Sequence, residues 1–196
     1  MDLSINSNIE LKKRELRKYL KERLVNLSKS YRHEADRLIY QNLISLQTYQ
    51  EAKCVFCYVG RDDEINTLPI LEDVLARGVK LVVPKCVAKG IIVACEIHDL
   101  DQLQMGRYGI YEPKEQVETP ADNIDLAIIP CISASRDGSR LGYGGGYYDR
   151  YLAESNFLKI VLCYEELTYD DIPMDTHDCK MDMLITENSG VDLGGR

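Results

Sequence analysis

The sequence predicts an α/β protein: a three-layer α/β/α sandwich with a mainly parallel sheet and N-terminal helices. Three observations carry that expectation. Residues 1–48 are helical in pattern and densely charged; beyond them short apolar runs alternate with helical segments; and a glycine-rich loop separates one such run from a helix. Apolar runs without polar alternation suit strands covered on both faces, which is how parallel strands joined by helices are buried.

Ser7-Asn8-Ile9-Glu10 has the form of a capping box, and Leu16, Leu20, Leu24 and Leu27 follow at helical spacing, predicting a first helix from about Asn8 to Leu27. A second spans Tyr31 to Leu46, with Ala35, Leu38, Ile39, Leu43 and Leu46 on its apolar side. Cys54 to Val59 reads as a buried strand. Thr67 is placed to cap a helix that carries Pro69 in its first turn and ends before Gly78. Lys80 to Val83 forms the next strand, stopped by Pro84, and Ile91 to Ile97 another. Glycine and proline punctuate the connection from His98 to Asn123, which includes Gly109-Ile110-Tyr111-Glu112-Pro113. Leu126 to Ile129 is a short strand leading directly into the glycine-rich loop. A helix opens near Tyr147, Lys159 to Tyr164 and Met183 to Ile185 complete the strands, and residues 190–196 read as a frayed tail. The 196 residues suit one domain.

Composition excludes several classes of function. With 24 Lys+Arg against 32 Asp+Glu the net charge is −8, which argues against a general nucleic-acid binder, whose affinity comes from a cationic surface. The longest apolar stretch, Leu126 to Ile132, is far short of the roughly 18 residues of a membrane span. Met1 to Asn6 lacks the cationic-then-apolar pattern of a secretory leader, so a cytoplasmic location is expected. Seven cysteines scattered through apolar runs read as reduced core thiols. Cys54-Val55-Phe56-Cys57 has zinc spacing, but residues three apart on a strand point to opposite faces and cannot share a metal.

The strongest chemical signal is Arg140-Leu141-Gly142-Tyr143-Gly144-Gly145-Gly146-Tyr147-Tyr148-Asp149. Its glycines let the backbone approach a ligand and aim several amides at one point, and the helix behind adds donors and partial positive charge: an anion site. Arg140 can add a fork of donors to phosphate, and Asp149 can hold a hard cation beside it. The segment lacks the Gly-Lys-Ser/Thr ending of a Walker loop and the spacing of the dinucleotide fingerprint, leaving a phosphate loop of another type. The first helix carries Lys12, Lys13, Arg14, Arg17, Lys18, Lys21 and Arg23, either a solvated basic face or a counterpart to a polyphosphate. Glu64, ahead of the Thr67 cap, is placed for a nitrogen-rich heterocycle. Asp178, in His177-Asp178-Cys179-Lys180-Met181-Asp182, is a candidate for divalent cation binding.

Taken together, Lys13-Arg14-Glu15-Leu16-Arg17, Asp63-Glu64-Ile65-Asn66-Thr67 and the segment from Arg140 to Asp149 resemble the 5-formyltetrahydrofolate cyclo-ligase family, also called methenyltetrahydrofolate synthetase. Gly109 to Pro113 and His177 to Asp182 fit its pattern in the same order. The resemblance implies a three-layer fold and an ATP- and magnesium-dependent conversion of 5-formyltetrahydrofolate to 5,10-methenyltetrahydrofolate, with ADP and phosphate released. It implies ATP contacts from Lys13, Arg14 and Arg17 and from the loop Arg140, Leu141, Gly142, Tyr143, Gly144, Gly145, Gly146, Tyr147 and Tyr148. Arg140, Tyr148 and Asp149 would be catalytic; Val59, Glu64 and Tyr147 would bind a reduced folate, with or without a polyglutamate tail; Asp149 and Asp178 would face magnesium. A monomer without nucleic-acid or membrane partners is expected.

The chain departs from the family at Ala134 and Ser135, where a Phe-Asp pair is usual, and this predicts an altered pocket shape and folate affinity. Two other classes remain open on the residues alone. One is a sugar-phosphate isomerase or acyl-carrier transferase on a similar sheet; the other is a noncatalytic nucleotide-binding regulator.

Overall fold

The computed structural model describes residues 2–106, 109–153 and 155–194. Two long helices lead, α1 (Asp2–Asn26) and α2 (Lys29–Ile44), followed by the short α3 (Gln47–Glu51). Ser28 caps α2 by accepting a hydrogen bond from the Tyr31 amide at 3.1 Å. The backbone of α1 is already helical at Asp2, six residues ahead of the expected start, because neither glycine nor proline breaks the segment before the Ser7–Glu10 pattern. The strands and remaining helices follow as β1 (Cys54–Cys57), α4 (Leu68–Ala76), β2 (Lys80–Ala88), β3 (Ile91–Ile97), β4 (Leu103–Met105), β5 (Tyr111–Pro113), β6 (Leu126–Ile129), β7 (Ser133–Ala134), β8 (Arg140–Leu141), α5 (Tyr147–Leu152), β9 (Leu158–Leu162), β10 (Met183–Ile185) and β11 (Gly190–Asp192).

The central sheet has seven strands in the order β11-β10-β9-β6-β1-β2-β3. Its middle, from β10 to β2, is parallel, and antiparallel partners close both edges. Every residue of β1 and β6 is buried, so both faces of the sheet's centre are covered. Val55, Phe56, Ile128 and Ile129 have no exposed surface, and each such side chain contributes about 1.5–3 kcal/mol of burial. From β1 the chain runs outward to β2 and β3, then returns to the other side as β6 and β9. The crevice beyond the carboxyl ends of β1 and β6 is therefore the switch point of the sheet, the usual place for a ligand.

Three expected boundaries are corrected. Pro84 does not stop β2, which continues to Ala88 in a hairpin with β3. Pro84 pairs with Ala94, whose carbonyl turns away to accept from Thr119, and β1 pairs with β2 only as far as Val82. The missing N–H of Pro84 thus falls where no ladder partner is present. The expected frayed tail is instead the edge strand β11 through Asp192, paired in register with β10. Finally, β6 does not run straight into the glycine loop, because β7 and β8 pair as a two-stranded ribbon between them.

That ribbon fixes the position of α1. Leu20 of α1 is fully buried against Ile132, Leu141 and Ile172, with Leu16 and Tyr143 packed on the same cluster. Helical periodicity then brings Lys13 and Arg17 over the loop that leaves β8.

Candidate active site

Two clefts meet at the loop between β8 and α5. One, with a cavity of about 280 Å³, is lined by Tyr58, Val59, Glu64, Pro84, Ile92, Ile110, Tyr143, Tyr147 and Tyr148. The other, wider at about 740 Å³, is lined by Lys13, Arg17, Leu141, Asp175, His177 and Asp178. Arg140, Gly142, Gly144, Gly145, Gly146 and Asp149 line both. The first cleft is aromatic and apolar with a few carboxylates; the second is rich in charge.

Glu64 is held by the turn after β1. Thr67 stands at the N-cap of α4 without capping it through its side chain. Its Oγ1 instead donates to the Tyr58 carbonyl at 2.9 Å and accepts from the Gly60 amide at 2.9 Å, pinning the turn from inside. Arg32 of α2 braces the same turn, donating to the carbonyls of Asp62 at 2.6 Å and Glu64 at 3.3 Å. The Glu64 carboxylate accepts the Arg61 amide at 3.0 Å and lies 3.4 Å from its guanidinium. Burial pushes the Glu64 carboxyl above its ordinary value, and the Arg61 amide and charge only partly oppose this. Burial likewise raises the phenols of Tyr143 and Tyr148, which are kept as neutral donors.

Arg140 lies on β8 with 3% of its side chain exposed. Its Nη1 donates to the Pro130 carbonyl at 3.1 Å, its Nη2 to Asp149 Oδ1 at 2.6 Å, and its Nε has no partner among the described residues. The guanidinium also faces the Tyr148 ring at 5.9 Å. In the second cleft the Lys13 ammonium, equally buried, donates to Asp175 at 2.7 Å and to Asp178 more closely. Burial alone would lower the Lys13 pKa, but its hydrogen bonds to the two acids outweigh that and raise it; in return the Lys13 bond holds Asp175 below its ordinary value. Arg17 donates from Nε to the Gly142 carbonyl at 2.9 Å. Gly144 has φ +94°, and a Cβ there would lie 3.3 Å from the Arg17 guanidinium, so both conformation and space favour glycine.

The structure therefore brings Val59 and Glu64 to one cleft, Lys13, Arg17, Leu141 and Asp178 to the other, and Arg140 and Asp149 between them; Tyr143, Tyr147 and Tyr148, expected among the ATP contacts, line the first cleft and not the one that holds Lys13 and Arg17. Arg14 is not among them. It lines a groove along α1 with Arg17, Lys18, Lys21 and Val25 and reaches neither cleft, since it sits one position from Lys13 and so on a different side of the helix from that lysine. Ala134 and Ser135, where the chain departs from the family pattern, are both buried at the ribbon and line neither cleft.

Residues beyond the sequence reading complete the site. Asp175 shares Lys13 with Asp178 and donates its amide to Asp178 Oδ2 at 2.7 Å. Two acids three apart in a turn were its available signal. Arg61 covers the Tyr143 ring at 5.0 Å, and Glu112 lines the first cleft while accepting the Cys86 amide at 3.3 Å. No local spacing joins these two to the loop, since their neighbours lie 26 or more positions away; for Glu112 the signal is the Gly109–Pro113 stretch that fits the family pattern.

The sequence profile of the 5-formyltetrahydrofolate cyclo-ligase family matches residues 9–187. The chain belongs to that family. The mouse 5-formyltetrahydrofolate cyclo-ligase is 29% identical over 191 residues, spanning 90% of this chain and 94% of the mouse protein. Among solved structures, the 5,10-methenyltetrahydrofolate synthetase of Aquifex aeolicus superposes with a TM-score of 0.84 at 32% identity, covering 94% of each chain. A synthetase from Mycoplasma pneumoniae, 24% identical with a TM-score of 0.73, shares the fold over 89% of this chain and 98% of its own. In this chain the glycine loop is the partition between two clefts of unlike character. No helix among the described residues is long and apolar enough to cross a membrane.

Proposed function

We propose that this chain converts 5-formyltetrahydrofolate to 5,10-methenyltetrahydrofolate, using ATP and magnesium and releasing ADP and phosphate. The observation that carries this reading is the shared partition. A glycine loop and a buried arginine stand between an aromatic cleft fit for a flat heterocycle and a charged cleft whose Lys13, Arg17 and carboxylates fit a polyphosphate with its divalent cation. Family membership favours it over an isomerase or acyl-carrier transferase on a similar sheet.

The formyl oxygen is a poor leaving group. Transfer of the γ-phosphoryl group to it, with ADP leaving, gives an iminium phosphate; N10 then attacks the formyl carbon and phosphate departs. The protein supplies position and charge. Lys13, Arg17 and the amides of the glycine loop hold the phosphates. Arg140, buried at the partition and paired with Asp149, supplies positive charge where negative charge develops. Glu64 accepts N–H bonds from the heterocycle, and Val59, Tyr143, Tyr147 and Tyr148 enclose it.

Magnesium fits the residues present. It takes one or two protein carboxylates and completes its shell with phosphate oxygens and water. Asp149 uses Oδ1 for Arg140, and Asp178 uses Oδ2 for Lys13, so each offers its other oxygen. The ion would neutralise phosphate charge, and Asp149 and Asp178, fixed by their ion pairs, would be the carboxylates that hold it. Seven free cysteines support a reducing, cytoplasmic setting.

Purified protein given 5-formyltetrahydrofolate, ATP and magnesium should develop the absorbance of the conjugated methenyl product, and omission of any one of the three should abolish it. A preparation that binds ATP yet forms no product would make the chain a noncatalytic nucleotide binder.

A further inference from the structure

Arg150, one turn into α5, projects back toward the helix start and hydrogen-bonds to two elements at once. Its Nε donates to the Gly90 carbonyl at 2.7 Å, and its Nη2 donates to the Gly145 carbonyl at 2.7 Å. Gly90 is the turn of the β2–β3 hairpin; Gly145 is the middle of the glycine loop. The two strands of that hairpin supply Pro84, Cys86 and Ile92 to the aromatic cleft, whereas Gly145 borders both clefts.

We propose that Arg150 is a positioning residue that ties the nucleotide loop to the folate-side hairpin, so that binding in one cleft sets the geometry of the other. The inference rests on the assignment of ATP and folate to the two clefts. Its physical basis is the planar peptide. Fixing the Gly145 carbonyl also fixes the plane of the 145–146 peptide, and hence the direction of the Gly146 N–H, one of the loop's phosphate donors. The same guanidinium fixes the hairpin turn through Gly90. A planar fork with two donors in rigid relation can hold two carbonyls at a set separation; an ammonium is a single point and cannot impose that separation. The fit at the hairpin is close: a Cβ at Gly90 would lie 2.2 Å from Arg150 Nη2, and Gly90 has φ +78°. The hairpin turn is therefore shaped around this side chain.

The test measures 5-formyltetrahydrofolate binding by calorimetry with and without a nonhydrolysable ATP analogue and magnesium. In the unaltered protein the analogue should tighten folate binding by about 5-fold or more, the lower range of common coupling between sites. Arg150→Met keeps the aliphatic stem but loses both donors, and should bring that ratio below about 2-fold while the melting temperature stays within a few degrees. Arg150→Lys should recover only part of the coupling. Gly90→Ala, which displaces the guanidinium from the opposite element, should reproduce the Arg150→Met result, and the double variant should add little to either. Undiminished coupling in both Arg150→Met and Gly90→Ala would overturn the positioning role. Should Arg150→Met unfold, Arg150→Lys and Gly90→Ala carry the same test. Failure of the unaltered protein to bind folate or form product would instead overturn the cleft assignment itself, a distinguishable result.

Discussion

Arg140 and Asp149 form an ion pair of 2.6 Å at the boundary between the two clefts, with the arginine side chain 3% exposed and the carboxylate 25% exposed. The relationship is asymmetric. Asp149 retains access to the cleft, while Arg140 is surrounded by groups that it must satisfy or be satisfied by.

Arg140→Ala should lower turnover by about 10²–10³, equivalent to roughly 3–4 kcal/mol, with a smaller effect on the KM for folate. Arg140→Lys should not restore it, because a single ammonium cannot reach Pro130 and Asp149 and also leave a donor for the reacting group. Steady-state kinetics on both variants checks this; full activity in the lysine variant would remove the need for the fork.

Lys13, proposed to hold phosphate, also supports stability through its pairing with Asp175 and Asp178. Removing it in Lys13→Met leaves Asp175 and Asp178 facing each other and should cost about 2–3 kcal/mol, less than in a fully buried pair because both acids keep some contact with solvent. The sign of the pH dependence follows from the two shifts. Asp175 is lowered, so its contribution is present above its ordinary 3.8 and lost as pH falls through the depressed value. Lys13 is raised, so its contribution is present below its ordinary 10.5 and lost as pH climbs through the elevated value. The difference in melting temperature between the unaltered protein and Lys13→Met should therefore be level across neutral pH and shrink toward both extremes. Thermal melts across pH decide it, and a difference that grows in acid would contradict the pairing.

Glu64 is raised by burial, so it protonates at a higher pH than the ordinary 4.5 of a glutamate. If the carboxylate receives heterocycle N–H groups, the KM for folate should rise as the pH falls toward that elevated value, while the KM for ATP does not follow it. Glu64→Gln should have a raised KM for folate at neutral pH and no such acidic limb. An unchanged limb in the variant would assign it to another group.

The cysteines offer a test of packing. Burial pushes Cys54 and Cys95 up to about 11, and Cys57 and Cys131 higher still. At pH 7 these thiols carry little thiolate and should react slowly with thiol reagents in the native protein, and promptly once unfolded. Rapid native labelling at Cys54 or Cys57 would contradict the closed core around β1.

Much of the sheet was legible because β3, β6 and β10 are short apolar runs bounded by turn residues, and their ends match the sequence reading. The helical start at Asp2, the passage of β2 through Pro84 and the pairing of β11 were not legible, since each depends on a neighbouring strand or on the absence of a breaker. In the site, residues announced by local chemistry, such as Arg140 and the glycines, were readable. Arg61, Glu112 and Asp175 matter through partners distant in the chain or folded back across a turn, and Thr67 was read as a helix cap where the fold uses it to pin a loop. The ribbon of β7 and β8, only two residues per strand, is too short to leave a periodicity, yet it is what seats α1 over the glycine loop.

Phosphoryl transfer to the formyl oxygen is the step proposed for the wall that the two clefts share, and labelled substrate tests it most directly. 5-Formyltetrahydrofolate carrying ¹⁸O in the formyl group should, during a single turnover with ATP and magnesium, deliver that oxygen to inorganic phosphate, detected by mass spectrometry. Methenyl product accompanied by unlabelled phosphate, with the ¹⁸O released to water, would contradict it.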